Sequence, residues 1–217
     1  MKRSIALFTA AAACLLLPTL ASADMLGPIT TTTPIASSKT DWTGGLTFAK
    51  FNPMLGTLQS VTIKVSSAMD TILTITNDSP SSSSGSAKTE LQVSVQDTGG
   101  NLNAPQIDLF SSSFTYNLAS GQSVSSGHLL KNTTDEQTYT LQAILDEFTG
   151  SGSIVLPAST FTQTWLTNTG GNTFASQVTN ASLTGEVTYT YSVPEPATMS
   201  LLGLGAVALL RKRRNRS

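Results

Sequence analysis

The chain of 217 residues contains a single cysteine, Cys14, and a single histidine, His128. One thiol closes no disulfide and supplies no cysteine cluster, so a disulfide framework and a cysteine-ligated metal site are both excluded. Residues 24–192 contain no arginine, and their five lysines stand against twelve acids, a balance of −7. A segment of that charge repels phosphate backbones, which excludes nucleic acid as a partner. Charged residues make up only 12% of the chain, about half the usual share. No heptad or helical repeat runs through the middle, which excludes coiled coils and solenoids. The formal net charge of −1 conceals +2 in residues 1–23 and +4 in residues 193–217, so the layout is basic, acidic, basic.

The two basic ends read as addresses. Lys2 and Arg3 precede an apolar run from Ile5 to Leu17, and Ala21-Ser22-Ala23 follows. This is the pattern of a secretory signal peptide, with Ala21 and Ala23 as the small residues a signal peptidase admits. The run is short for a hydrocarbon core of about 30 Å, so a cleaved segment 1–23 is expected rather than a retained anchor. At the other end Val193-Pro194-Glu195-Pro196 leads into an apolar stretch over 197–210, then Arg211-Lys212-Arg213-Arg214-Asn215-Arg216. Fourteen helical residues span about 21 Å, enough for marginal insertion with snorkelling arginines. Basic residues stay cytoplasmic, which places the large middle segment outside.

Motif, short helix and basic end together resemble the PEP-CTERM sorting signal of Gram-negative bacteria. The resemblance covers the last 25 residues, 193–217. It implies recognition by an exosortase, a membrane-embedded cysteine transpeptidase, with Pro194, Glu195 and Pro196 as the sorting motif. Arg211, Lys212, Arg213 and Arg214 would be the cytoplasmic stop. It further implies transient anchoring in the inner membrane, then release to the cell surface or extracellular matrix, in a setting of exopolysaccharide and biofilm.

Between the ends, 30 threonines and 25 serines fill 55 of 169 positions. Branched Thr favours pleated surfaces and Ser favours turns. Period-two alternation appears at Val61, Ile63 and Val65; at Leu91, Val93 and Val95; at Tyr139, Leu141 and Ala143; and at Val187, Tyr189 and Tyr191. Punctuation falls at Asn52-Pro53, Asn77 to Pro80, Asp97 to Gly100, Gly150 to Gly152 and Gly170 to Asn172. Residues 79–86 read as a low-complexity loop, and 140–148 admit a short helix or a strand. The expected fold class is all-β, an antiparallel β-sandwich at 46–192 preceded by a lead-in segment at 24–45. An N-terminal signal helix and a single C-terminal transmembrane helix would flank it. Phe51-Asn52-Pro53-Met54-Leu55-Gly56-Thr57-Leu58, Phe148 to Ile154 and the Tyr-rich last strand resemble the choice-of-anchor exported β domains, type E in particular. Asn52 stands where that pattern commonly has Asp. The resemblance implies location and fold, and no chemistry.

The chemistry-bearing residues do not assemble into a site. Asp97-Thr98-Gly99 matches the aspartic-protease triplet, but there is no second triplet and a hairpin turn is expected there. Gly121-Gln122-Ser123-Val124-Ser125 lacks the last glycine of a nucleophile elbow. His128 is expected at a surface or edge. Asp135-Glu136 and Asp146-Glu147 are adjacent pairs, which in a strand point to opposite faces and form no dyad. Asp70, Asp78 and Asp108 lack calcium-loop spacing. Trp42, Trp165, Tyr139, Tyr189 and Tyr191 are expected in the core, whereas an exposed row of them would make a glycan platform. Asn77, Asn132 and Asn180 head Asn-x-Ser/Thr triplets that chance explains in so Ser/Thr-rich a chain. The expectation is therefore a non-enzymatic envelope or matrix protein, structural or adhesive, without cofactor or metal. A carbohydrate-binding module is the alternative, and a secreted hydrolase the remote third. Cleavage after Ala23 predicts that N-terminal sequencing of the exported protein begins at Asp24, and that Ala23→Phe blocks processing.

Overall fold

Alternation of apolar and hydroxyl-bearing side chains organises the described residues into ten strands and one short helix. The computed structural model describes residues 24–102 and 106–193. The expected signal segment and the tail from Pro194 onward lie outside the described residues. Among the described residues no helix is long and apolar enough to cross a membrane. The strands are β1 (Asp24–Lys39), β2 (Thr43–Ala49), β3 (Thr57–Asn77), β4 (Ser83–Val95), β5 (Gln106–Phe110), β6 (Phe114–Leu118), β7 (Ser123–Ser125), β8 (Leu129–Tyr139), β9 (Ser153–Gly170) and β10 (Thr173–Val193). Helix α1 (Gln142–Phe148) lies between β8 and β9.

The fold is all-β, with two five-stranded sheets. The first runs β1-β10-β3, and the far edge of β3 is shared by β8 and β7. The second runs β2-β9-β4, and the far edge of β4 is shared by β5 and β6. Every strand pairing with a recorded register is antiparallel. The longest ladder joins β3 and β10, from Thr173 opposite Asn77 to Ser192 opposite Thr57, with one irregularity at Thr190/Tyr191.

Odd-numbered residues of β10, and of β3 from Val61 onward, face inward. Val61, Ile63, Val65, Ala181, Leu183, Val187 and Tyr189 are all buried there, against Leu46, Phe48, Leu91 and Leu156 of the second sheet. Gly185 sits at the closest approach: a Cβ there would lie 2.6 Å from Leu46 Cδ1 and 2.8 Å from Phe48 Cζ. The segment that opens with Phe51 also acquires a physical reason. Phe51 is buried, with ring centroids 5.9 Å from Tyr189 and 5.1 Å from Tyr191. Asn52 Oδ1 accepts the Met54 N–H at 3.0 Å and caps a single 3-10 turn. Gly56, at φ 148°, passes so close to Ser192 that a Cβ would lie 2.3 Å from its carbonyl oxygen.

A polar belt crosses the core. Thr71 of β3, Thr179 of β10 and Thr89 of β4 are all buried. The Thr71 hydroxyl shares hydrogen bonds with Thr179 at 2.7 Å and with Thr89 at 3.0 Å, linking the two sheets. On one side lies the large cluster, beginning with Met69 and Leu91. On the other lies a smaller one of Leu73, Ile75, Ala87, Tyr116 and Leu118.

Rows of hydroxyls cross the outward face of the first sheet, beside the exposed Phe174, Val178 and Leu130. One row runs Thr30–Thr188–Thr62–Thr138: Thr30 and Thr188 hydroxyls are 3.0 Å apart, Thr188 and Thr62 are register partners, and Thr62 and Thr138 hydroxyls are 2.8 Å apart. Ser66 with Thr134 and Thr76 with Ser123 continue the pattern.

Two expectations need correction. Residues 79–86 are not wholly a loop: Ser83 begins β4 and is held from both sides, opposite Leu118 and Gly170. Gly85 and the serines succeed there because they are small, a Cβ on Gly85 meeting the Thr167 carbonyl oxygen at 2.0 Å. The alternation at Tyr139, Leu141 and Ala143 does not continue as a strand. Ile144, Leu145 and Phe148 are buried at helical spacing, so burial of that face selects α1, and Leu141 is left exposed.

Among the described residues the Thr71 hydroxyl is the only side-chain partner of the Thr89 and Thr179 hydroxyls. Thr71→Val therefore strands two buried hydroxyls and should cost about 1–3 kcal/mol in urea unfolding. Replacing all three threonines by valine should recover most of that loss, because no donor or acceptor is left unpaired.

Candidate ligand-binding face

The outward face of the second sheet differs from that of the first. Along β4 the inward Thr89, Leu91 and Val93 are buried, so Lys88, Glu90 and Gln92 point outward. Register places Trp165 opposite Lys88, Gln163 opposite Glu90 and Phe161 opposite Gln92 on β9. On the other flank, β5 places Phe110 opposite Glu90 and Asp108 opposite Gln92. Three aromatic side chains thereby reach solvent on one face: Phe161 at 52% exposure, Trp165 at 51% and Phe110 at 39%. Trp165 and Phe161 are four residues apart on one strand, about 13 Å.

Glu90 breaks the pattern, being outward-facing yet only 5% exposed. Its neighbours close over it and donate to it. Gln92 Nε2 donates to Oε1 at 3.0 Å. Gln163 Nε2 and Trp165 Nε1 donate to Oε2 at 2.6 and 2.5 Å. The Gln163 bond, then the Trp165 bond, hold the Glu90 carboxyl below its ordinary range; burial opposes them, and Gln92 and the nearby Lys88 charge assist. The Lys88 ammonium lies 4.3 Å from the Phe110 ring centroid and 5.9 Å from that of Trp165. The result is a fixed indole, anchored at its N–H, with amide groups between it and Phe161.

Of the five aromatic residues singled out from sequence, the structure divides the set. Tyr189 and Tyr191 are buried, and Tyr189 Oη donates to the Ala49 carbonyl at 2.7 Å, with burial raising its pKa. Trp42 is half-buried against the core and donates from Nε1 to the Ala181 carbonyl at 3.0 Å. Tyr139 is also half-buried. Trp165 alone of the five lies on the exposed face. Phe161, Phe110 and Glu90 were not singled out. Their outward direction is readable from period two in Lys88-x-Glu90-x-Gln92 and Phe161-x-Gln163-x-Trp165, whereas the pairing of β4 with β9 is not.

The remaining candidates are dispersed. The Asp97 carboxylate accepts the Asn101 N–H at 2.9 Å and the Leu102 N–H at 3.2 Å, closing the β4–β5 turn. Burial works against its charge, and the backbone donors still hold its pKa below the ordinary value. His128 is exposed and pairs through Nδ1 with Asp70 at 2.8 Å. Ser123 and Ser125 belong to β7, and Ser123 bonds Thr76. Asp135 and Glu136 sit on β8, whereas Asp146 and Glu147 lie on α1, not on a strand. There Asp146 accepts from Gln142, and Glu147 accepts from Asn101. Asn77 is buried, with its amide donating to the carbonyls of Ser81, Leu118 and Ala119. Among the described residues no three His, Cys, Asp or Glu side chains converge as metal ligands. Ala21, Ala23, Pro194, Glu195, Pro196 and the basic stop from Arg211 to Arg214 lie outside the described residues.

Comparison with known proteins bears chiefly on the tail. The model of the PEP-CTERM protein-sorting motif matches residues 192–214, which include Pro194, Glu195, Pro196 and Arg211 to Arg214. No curated protein matches the chain. Among solved structures, infectious bursal disease virus of the Gt strain is similar at 12% identity and a TM-score of 0.25, covering 90% of this chain and 51% of that one. The Gx strain gives 13%, 0.20, 90% and 51%. The chain thus spans about half the length of these viral chains, and so slight a likeness places none of its residues.

Because Glu90 is charged and enclosed, Glu90→Gln should lower stability at pH 7 by about 1–3 kcal/mol. The folded pKa lies below the ordinary carboxylate value, so the contribution is complete above that ordinary value. It is lost as pH falls through the lowered folded value. Urea unfolding should therefore separate wild type from the variant at pH 7 and bring them together in strong acid.

Proposed function

We propose that the chain is an exported, non-enzymatic protein, sorted by an exosortase to the cell envelope or extracellular matrix, with a structural or adhesive role beside exopolysaccharide. The observation that carries this reading is the match over residues 192–214 to the PEP-CTERM sorting motif, behind a domain rich in Thr and Ser. The segment 1–23 is taken as a signal peptide. On the same reading the β domain is of the choice-of-anchor kind, type E-like, and the tail holds it at the inner membrane until processing releases it.

The tail chemistry suits that route. Pro194 and Pro196 lack N–H donors and restrict φ, and with the Glu195 carboxylate between them they give a processing enzyme a motif to read by shape and charge. The apolar stretch over 197–210 supplies insertion, and the arginines supply the stop. A second reading, a carbohydrate-binding module, is favoured by one observation: Phe110, Phe161 and Trp165 are exposed together on one sheet face.

Glu195→Ala should leave insertion intact and trap a full-length, membrane-bound form in the native host. Wild type should lose its basic tail. Mass spectrometry of the surface protein decides the matter: wild type that still carries Arg211 to Ser217 makes the tail a plain anchor and ends the sorting hypothesis.

A further inference from the structure

We propose that the outward face of the second sheet is a binding site for a neutral polysaccharide, laid along β9 from Trp165 to Phe161, with Glu90 as the residue that positions the Trp165 indole. The proposal rests on the adhesive reading and gives it a ligand class and a place.

The enclosed carboxylate is the starting point. Glu90 lies on the face turned away from the core, yet three side chains cover it and donate to it. Removing a carboxylate from water is costly, and an apolar residue at the same position would serve packing better. What the arrangement yields is an indole locked by its N–H with half its surface open to solvent. Immobilising a ring before the ligand arrives removes an ordering cost from binding. Freezing a surface tryptophan has no comparable value for the fold.

The chemistry of the surroundings names the ligand. Sugar rings present C–H faces that pack on aromatic rings and hydroxyls that need amide or carbonyl partners. The line Trp165–Gln163–Phe161 supplies ring, amide and ring in that order, with Gln92 beside it. Its length of about 13 Å exceeds a single sugar, so the ligand is a chain. The β2 register with β9 ends at Thr43 opposite Ser159, and beyond it the Thr162 hydroxyl meets Thr40 and Asp41. Charge then selects among polysaccharides. The face carries Lys88 against Glu90 and Asp108, on a segment of −7 without arginine. A polyanion is repelled by that field, and a neutral chain is not.

The test is affinity electrophoresis of the full chain, solubilised in mild detergent, through gels containing galactomannan, xyloglucan, dextran or alginate. Wild type should be retarded by at least one of the three neutral polymers and not by alginate. Trp165→Ala and Phe161→Ala, both surface truncations, should each weaken that retardation roughly tenfold. Glu90→Gln should weaken it several-fold. The Trp165 indole N–H resonance should move upfield in that variant, a signature that a packing role alone would not give. Retardation by alginate alone, by none of the polymers, or equally in wild type and the two aromatic variants would overturn the proposal. Co-sedimentation with the host's own matrix separates this failure from that of the adhesive reading. Equal co-sedimentation of wild type and Trp165→Ala leaves adhesion standing and removes this site, whereas no co-sedimentation of wild type removes both.

Discussion

The architecture depends on one pairing, between β3 and β10. These strands come from opposite ends of the domain and run side by side from Thr57 to Asn77 and from Thr173 to Ser192. Everything in the first sheet is attached to them: β1 to the outer edge of β10, and β8 and β7 to the outer edge of β3. Their inward residues also supply the floor on which Leu46, Phe48 and Leu91 pack. A one-residue slip would turn Val61, Ile63, Leu183 and Val187 to solvent and bury Thr62, Lys64 and Glu186, so the apolar alternation fixes the register. The Thr71 belt reinforces this, since its hydroxyl meets Thr179 and Thr89 only in that alignment.

The same alternation leaves the sandwich with two unlike outer faces. On the first sheet the outward positions carry rows of Thr and Ser whose hydroxyls bond each other across strands, together with Lys64, Glu186 and the exposed Phe174, Val178 and Leu130. On the second they are Lys88, Glu90, Gln92, Phe161, Gln163 and Trp165, and they form a cluster with its own interior. Composition alone would make both faces equally bland. It is cross-strand register, setting Trp165 beside Lys88 and Gln163 beside Glu90, that turns scattered residues into a cluster.

Local information was legible in the sequence, and long-range pairing was not. Period two identified the buried faces at Val61 to Val65, Leu91 to Val95 and Val187 to Tyr191, and the Gly and Asn-Pro signals marked real turns. Near Leu141 the alternation misled because three residues of apparent alternation cannot outweigh the helical burial of Ile144, Leu145 and Phe148. At Ser83 to Ser86 composition misleads, since small residues suggest a loop although two neighbouring strands require them to be small. The candidate face was half-visible. Trp165 stood out as one of two tryptophans, but Glu90 owes its burial to Gln163 and Trp165, more than seventy residues downstream.

The ladder between β3 and β10 has a mechanical consequence. Antiparallel hydrogen bonds lie perpendicular to the strands. A pull on the chain at Val193, directed along β10, therefore loads the ladder in shear, and the bonds from Ser192 back to Thr173 share the force together. A pull across the sheet would instead open them one at a time, like a zip.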